Sequence, residues 1–481
     1  RLDQAVQQEH VDATYAIAVA AGKAMTSTPA RLGALAGACA TDTDATNDDM
    51  CLDAFIRRFG ERALRMAVTD DDVTFYRGPA GAAPFDAADY ADVTALLMTA
   101  PQALYLVEHG DTSDSSDFTD LGAYELASRL SYHFWQTMPD EELLDAARSG
   151  ALLTEEGYAA QVNRVFEDPR AREAVAELFS NWLDNTTLEE LDSRSGTPVF
   201  DAFAGDFTPG PDLREHMLAE VVDSATWYAF DGAGSFDDFF ASDRSFARTE
   251  DLAAIYGVSV WDGASDPPAF QDDAHAGLIT RAAYVATGSA NTRPIMKGVF
   301  LRKALLCDDI APPPPNAAAN PPMLSETATT RQVVEQLTAN QPCAGCHKLQ
   351  INPLGFATEN FDALGRVRTA QAVFDETTGA PSGSLPIDTT SVPHIDTGDD
   401  TPSTGARDVS RLMLESPKPH ACFARQYFRF TFGRTEDLDT DGCVLADVKT
   451  SLDEGAPLAE SLRAVAMSPA FRKRSFKETQ Q

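Results

Sequence analysis

The run CAGCHKLQINPLGF, Cys343–Phe356, sets two thiols three residues apart with an imidazole next to the second. Three chemistries use such a cluster. A structural zinc site needs four ligands, usually from two half-sites, and no second CxxC or His-x3–5-His pair follows here. A thioredoxin-like redox pair opens a helix after a strand, whereas this box follows a helical segment and Pro342. Covalent c-type haem needs two thiols for thioether bonds and an adjacent histidine for the iron, in that order. The spacing therefore favours one haem c on Cys343 and Cys346, with His347 as proximal iron ligand.

Neighbouring residues fit the same use. A backbone carbonyl near Pro353 is expected to accept the Nδ1–H of His347, which would fix its tautomer and raise its basicity. Leu354, Phe356 and Phe361 offer an apolar wall, and Arg366 and Arg368 offer guanidiniums for propionates. The sixth iron position has three candidates, Met413, His394 and His420. Met413, in SRLMLES, also reads as a core residue, and His420, after SPKP, as a surface loop residue. His133, in SYHFW, reads as a core or interhelix histidine. Alternating carboxylates at Asp42, Asp44 and Asp48, and at Asp437, Asp439 and Asp441, resemble the openings of calcium loops, but neither loop has a closing Glu. No G-x-S-x-G, P-loop or H-E-x-x-H occurs, so common hydrolase and nucleotide readings lack support.

The elements that must position the box are mostly helices. LGAYELASRLSYHFW has apolar residues near the 3.6 period, and EDPRAREAVAELFSNWL places Asp168 and Pro169 as a helix start. DLREHMLAEVVDSATWYAF is a further amphipathic helix. Pro312–Pro315 cannot join a helix and reads as an extended strap. The expected fold is mainly α and multi-helical, with a cytochrome c-like haem-binding C-terminal part and a small irregular or β-like insertion. The expected segments are 1–112 (N-terminal helical), 120–262 (central helical), 263–370 (helical, with the strap and the box), 371–402 (the insertion) and 403–481 (C-terminal helical).

The chain has 481 residues and a net charge of −36, which repels nucleic acid and anionic membranes, so no nucleic-acid partner is expected, while homo- or hetero-assembly stays open. It has no apolar run long enough for a transmembrane helix. Outside the box, spacing pairs Cys39 with Cys51 and Cys422 with Cys443 and leaves Cys307 odd. Such disulfides would place the protein in the periplasm, at the cell surface or outside the cell.

Five stretches follow one another in an order that resembles a known group: CLDAFIRRFGERALRMAVTDDDV, LGAYELASRLSYHFWQTMPDEELLDAARSGAL, TRPIMKGVFLRKALLCDDIAPPPPN, CAGCHKLQINPLGFATENFDALGRVR and CFARQYFRFTFGR. The group is the large bacterial proteins that combine the domains of unknown function 1595, 1592, 1588 and 1585. The resemblance runs from about Cys51 to Phe471. It implies export and a cytochrome-like character, and it carries over Cys343, Cys346 and His347 as the haem box, with Pro353, Gly355, Phe356 and Arg366 around it. The leading expectation is an electron-transfer protein with an unidentified redox partner. A haem-dependent oxidative enzyme with an open sixth site, and a non-enzymatic surface or assembly component, are the alternatives.

Overall fold

The computed structural model describes residues 7–110, 118–312, 325, 327–375 and 377–475. Pro313–Pro315, most of the expected strap, lie outside these residues. The chain is mainly helical with a few short strands, and it divides into two units, residues 1–171 with 466–481, and residues 172–465.

The first unit is built on helices α1 (Gln8–Met25), α2 (Asp48–Leu64), α3 (Ala87–Met98) and α4 (Ala123–Trp135). Helix α1 lies close on α3 because position 22 has no side chain: a Cβ there would sit 2.4 Å from the Ala91 carbonyl oxygen. Leu52, Phe55 and Ile56 of α2 and Tyr90, Val93 and Leu97 of α3 form one apolar core, each side recurring at helical spacing. Cys39 and Cys51 form a disulfide. The Glu125 carboxylate starts α4 by accepting from the Gly122, His109 and Gly110 N–H groups. Strand Phe118–Asp120 pairs antiparallel with Lys473–Ser475, so the end of the chain returns to this unit. His133 is partly buried, with its ring edge-on to those of Phe134 and Phe471. Desolvation, with Arg129 nearby, pushes its pKa down to about 3, so the imidazole is neutral.

In the second unit the relevant helices are α5 (Leu213–Phe230), α6 (Pro294–Phe300), α7 (Thr330–Leu337), α8 (Cys343–Cys346), α9 (Asn352–Phe356), α10 (Ala406–Glu415), α11 (Lys418–Phe432) and α12 (Leu438–Asp453). Glu220 of α5 and Arg281 are both almost fully buried and meet at 2.7 Å, and the Tyr256 hydroxyl also donates to Glu220. A hairpin pairs Ala370–Phe374 with Pro381–Pro386, and an isolated bridge joins Ser391 to Ser403.

The disulfide of this unit is Cys307–Cys422, not Cys422–Cys443. Cys422 is on the buried face of α11, against the segment that ends at Cys307, whereas Cys443 is exposed on α12 and unbridged. Loop length alone could not separate these pairings, because the deciding factor is which face of α12 carries Cys443.

Candidate functional site

The box is a single helical run with a fault in it. Helix α8 holds Cys343 and Cys346, three residues apart and hence on neighbouring positions of one face. Both are partly exposed, and neither is in a disulfide. A π-helical turn follows over His347–Ile351, and α9 then carries Pro353 near its start. Proline has no N–H to return to the preceding turn, so a widened turn just before it relieves the mismatch.

That turn decides what His347 can do. In a π turn the contacts run from i to i+5, and the residue five beyond His347 is Asn352. The Asn352 Oδ1 lies 3.0 Å from His347 Nδ1. Its Nδ2 donates to Thr338 Oγ1 at 2.9 Å, and that hydroxyl donates its own proton to the Val334 carbonyl at 2.7 Å. The directions are therefore fixed. Thr338 is spent as a donor, so it accepts from the Asn352 amide; the Asn352 oxygen must then accept from His347. His347 carries its proton on Nδ1 and keeps the Nε2 lone pair. Asn352 and Thr338 are both buried. The expected backbone acceptor near Pro353 is thus replaced by a side chain. Sequence reasoning missed Asn352 because i and i+5 lie on different faces of an ordinary α-helix.

Helix α6 supports this run from below. A Cβ on Gly298 would sit 2.0 Å from the Ile351 carbonyl oxygen, and one on Gly355 would sit 2.0 Å from that of Pro294. Two backbones meet where both side chains are missing. Leu354, Phe356 and Phe361 are buried in the same unit, and Arg331 of α7 lies over the Phe356 ring at 4.8 Å. Residues 274–307 and 337–358, which supply α6, α8 and α9, contain no Asp or Glu, in a chain with 74 of them. Leu337 and Leu349, flanking the box, are 51% and 55% exposed.

The structure commits the two expected propionate partners elsewhere. Arg366 donates to Asp362 and to the Phe203 and Ala204 carbonyls, and Arg368 donates to the carbonyl and carboxylate of Glu359. Glu359 is itself buried and also receives Lys297 at 3.2 Å and Thr292 at 2.8 Å. Burial pushes the Lys297 pKa down against the pull of Glu359. Arg366 and Arg368 are structural ion-pair residues rather than free anion donors.

The three candidates for a sixth ligand differ sharply. Met413 of α10 is fully buried in the core. His420 is not a surface loop residue. It is 7% exposed in the first turn of α11, with Nδ1 at 2.8 Å from Asp453 and Nε2 at 2.7 Å from Asp237. With both nitrogens occupied it has no lone pair for iron, which removes it from the ligand set. His394 holds Nδ1 at 2.9 Å from the Asp399 carbonyl oxygen.

Carboxylates of both acidic loops take internal partners. Asp42 accepts from Asp44 N–H and Asn47, and Asp44 accepts from Thr46, so these carboxylates shape a turn. Asp437 caps α12, and buried Asp441 pairs with Arg434. Among the described residues no group of three or more His, Cys, Asp or Glu side chains is arranged to hold a metal ion.

The donor set at the box nonetheless fits a covalent haem. Two unbridged thiols share a face, the adjacent imidazole is locked with Nε2 available, and exposed leucines border them. Residues 121–258 match the model of PSD4, a protein of unknown function (DUF1592), and residues 275–371 match that of PSCyt3, a protein of unknown function (DUF1588). Both belong to the multi-domain DUF1595/1592/1588/1585 family. No curated protein and no solved structure matches the chain.

Proposed function

We propose that this chain is an exported mono-haem c-type electron-transfer protein. The observation that carries the reading is the hydrogen-bond relay Val334–Thr338–Asn352–His347, which keeps Nε2 of the CxxCH histidine as a lone pair. Iron-ligating histidines characteristically donate their other N–H to a protein acceptor, and a buried relay is a costly way to orient an imidazole with no such task. Cys343 and Cys346 would form the thioethers, and His347 Nε2 would ligate the iron. A haem held there supplies one-electron exchange between ferric and ferrous iron. The segments that supply α6, α8 and α9 bring no carboxylate of their own to the ligand. The disulfides Cys39–Cys51 and Cys307–Cys422 support an oxidising compartment.

The test is a reduced-minus-oxidised visible spectrum of protein matured in a periplasm that attaches haem c. A c-type α-band in wild type, lost in Cys343→Ser/Cys346→Ser, is the expected result. A protein without a Soret band under those conditions contradicts the reading.

A further inference from the structure

The segment 388–403 is fastened to both elements that flank the box. From one side, Arg331 of α7 donates to the Asp388 and Thr390 carbonyls while it covers Phe356. From the other, the buried guanidinium of Arg302 donates through Nε to the Gln350 carbonyl at 2.7 Å and through Nη2 to the Pro393 carbonyl. Gln350 belongs to the π turn that begins at His347. One rigid fork therefore ties that turn to the residue preceding His394. The Ser391–Ser403 bridge and a 3.0 Å hydrogen bond from Ser416 to Asp396 close the segment on itself and on the end of α10.

His394 follows the clamped Pro393 directly and adopts a left-handed conformation, φ 47°. That region is uncommon for a residue with a Cβ, and non-glycine residues held there by their surroundings cluster at functional sites. Its Nδ1 faces a backbone carbonyl, which can only accept, so Nδ1 carries the proton. The Asp400 carboxylate lies 3.3 Å from the same nitrogen. Nε2 makes no hydrogen bond among the described residues, and the side chain is 22% exposed. His394 and His347 thus share one arrangement, Nδ1–H on a protein oxygen and Nε2 available. Met413 has no comparable opening and His420 has no lone pair.

We propose that His394 is the sixth iron ligand, giving a bis-imidazole haem held by the segment that Arg302 clamps to the box. The proposal rests on the haem reading above. It makes the protein a six-coordinate, low-potential electron carrier rather than an open-site oxidase, because an imidazole in place of a methionine lowers the potential.

The experiment compares electron paramagnetic resonance spectra and reduction potentials of haem-loaded wild type, His394→Ala, His394→Met and Met413→Leu. The expected wild type is low-spin, with the spectrum of two imidazoles. His394→Ala becomes high-spin and binds added imidazole at least tenfold more tightly than wild type, which restores the low-spin spectrum. His394→Met, which guards against misfolding of the alanine variant, raises the potential, and Met413→Leu changes nothing. A high-spin wild type, an unchanged His394→Ala or His394→Met, or a high-spin Met413→Leu overturns the proposal while leaving haem attachment intact. Wild type with no bound haem overturns the underlying reading instead, and is visible before any variant is made.

Discussion

His347 and His420 lie in the same unit, and a side chain holds Nδ1 of each, yet the second nitrogen is treated differently. At His347 an amide oxygen takes Nδ1–H, and among the described residues no group hydrogen-bonds Nε2. At His420 a carboxylate sits on each nitrogen, so the ring is a cation between two anions. Burial pushes the His420 pKa down, but the hydrogen bonds to Asp237 and Asp453 outweigh it and hold the pKa above the ordinary 6.5. The difference lies in the partners. One acceptor leaves the other ring nitrogen with its lone pair, and two charged acceptors occupy both.

Three substitutions separate the roles of these two histidines. The largest effect is expected at the support beneath His347. Gly355→Ala puts a methyl against the Pro294 carbonyl, where a Cβ would lie at 2.0 Å. It should cost about 2–3 kcal/mol in urea unfolding and reduce haem retention.

A smaller loss is expected at His420. His420→Leu leaves Asp237 and Asp453 facing an apolar group. Breaking a fully buried pair costs about 3–5 kcal/mol, but these carboxylates are 46% and 42% exposed, so about 2 kcal/mol is expected, with an unchanged haem spectrum. The pH dependence has a definite sign. The His420 contribution is fully present below pH 6.5 and is lost as pH rises through the raised folded pKa. Wild type should therefore lose stability relative to His420→Leu as pH rises above 6.5, and parallel curves for the two would refute that contribution. Lys449 also pairs with Asp453.

The smallest effect is expected at Asn352. Asn352→Ala removes the acceptor for Nδ1 but leaves Thr338 bonded to Val334. It should cost about 1 kcal/mol and raise the reduction potential, because a less basic imidazole stabilises ferric iron less. An unchanged potential would mean that the relay does not tune the ligand.

The helices and the box were legible in the sequence because each depends on local spacing. The helix at Ala123–Trp135 follows its apolar period, and the thiols and imidazole of CAGCH are adjacent in the chain. What was hidden depends on a change of register or a distant partner. Asn352 meets His347 only because the turn before Pro353 is a π turn. The prolines before His420 suggested a loop, yet Pro419 is in the first turn of α11, a position helices accept without cost, and the turn carries His420 inward. Cys422 found Cys307, 115 residues away, which no local spacing announces. Asp437 and Asp441 resembled calcium ligands because cap and ion-pair carboxylates recur at the same short intervals.

The account stands or falls on whether Cys343 and Cys346 carry a haem. The most direct measurement is the intact mass of the full chain matured in a periplasm with haem c attachment, under denaturing conditions that strip anything not covalently bound. The account predicts a mass increased by one haem, absent from Cys343→Ser/Cys346→Ser. A wild-type mass equal to that of the polypeptide with its two disulfides would contradict it.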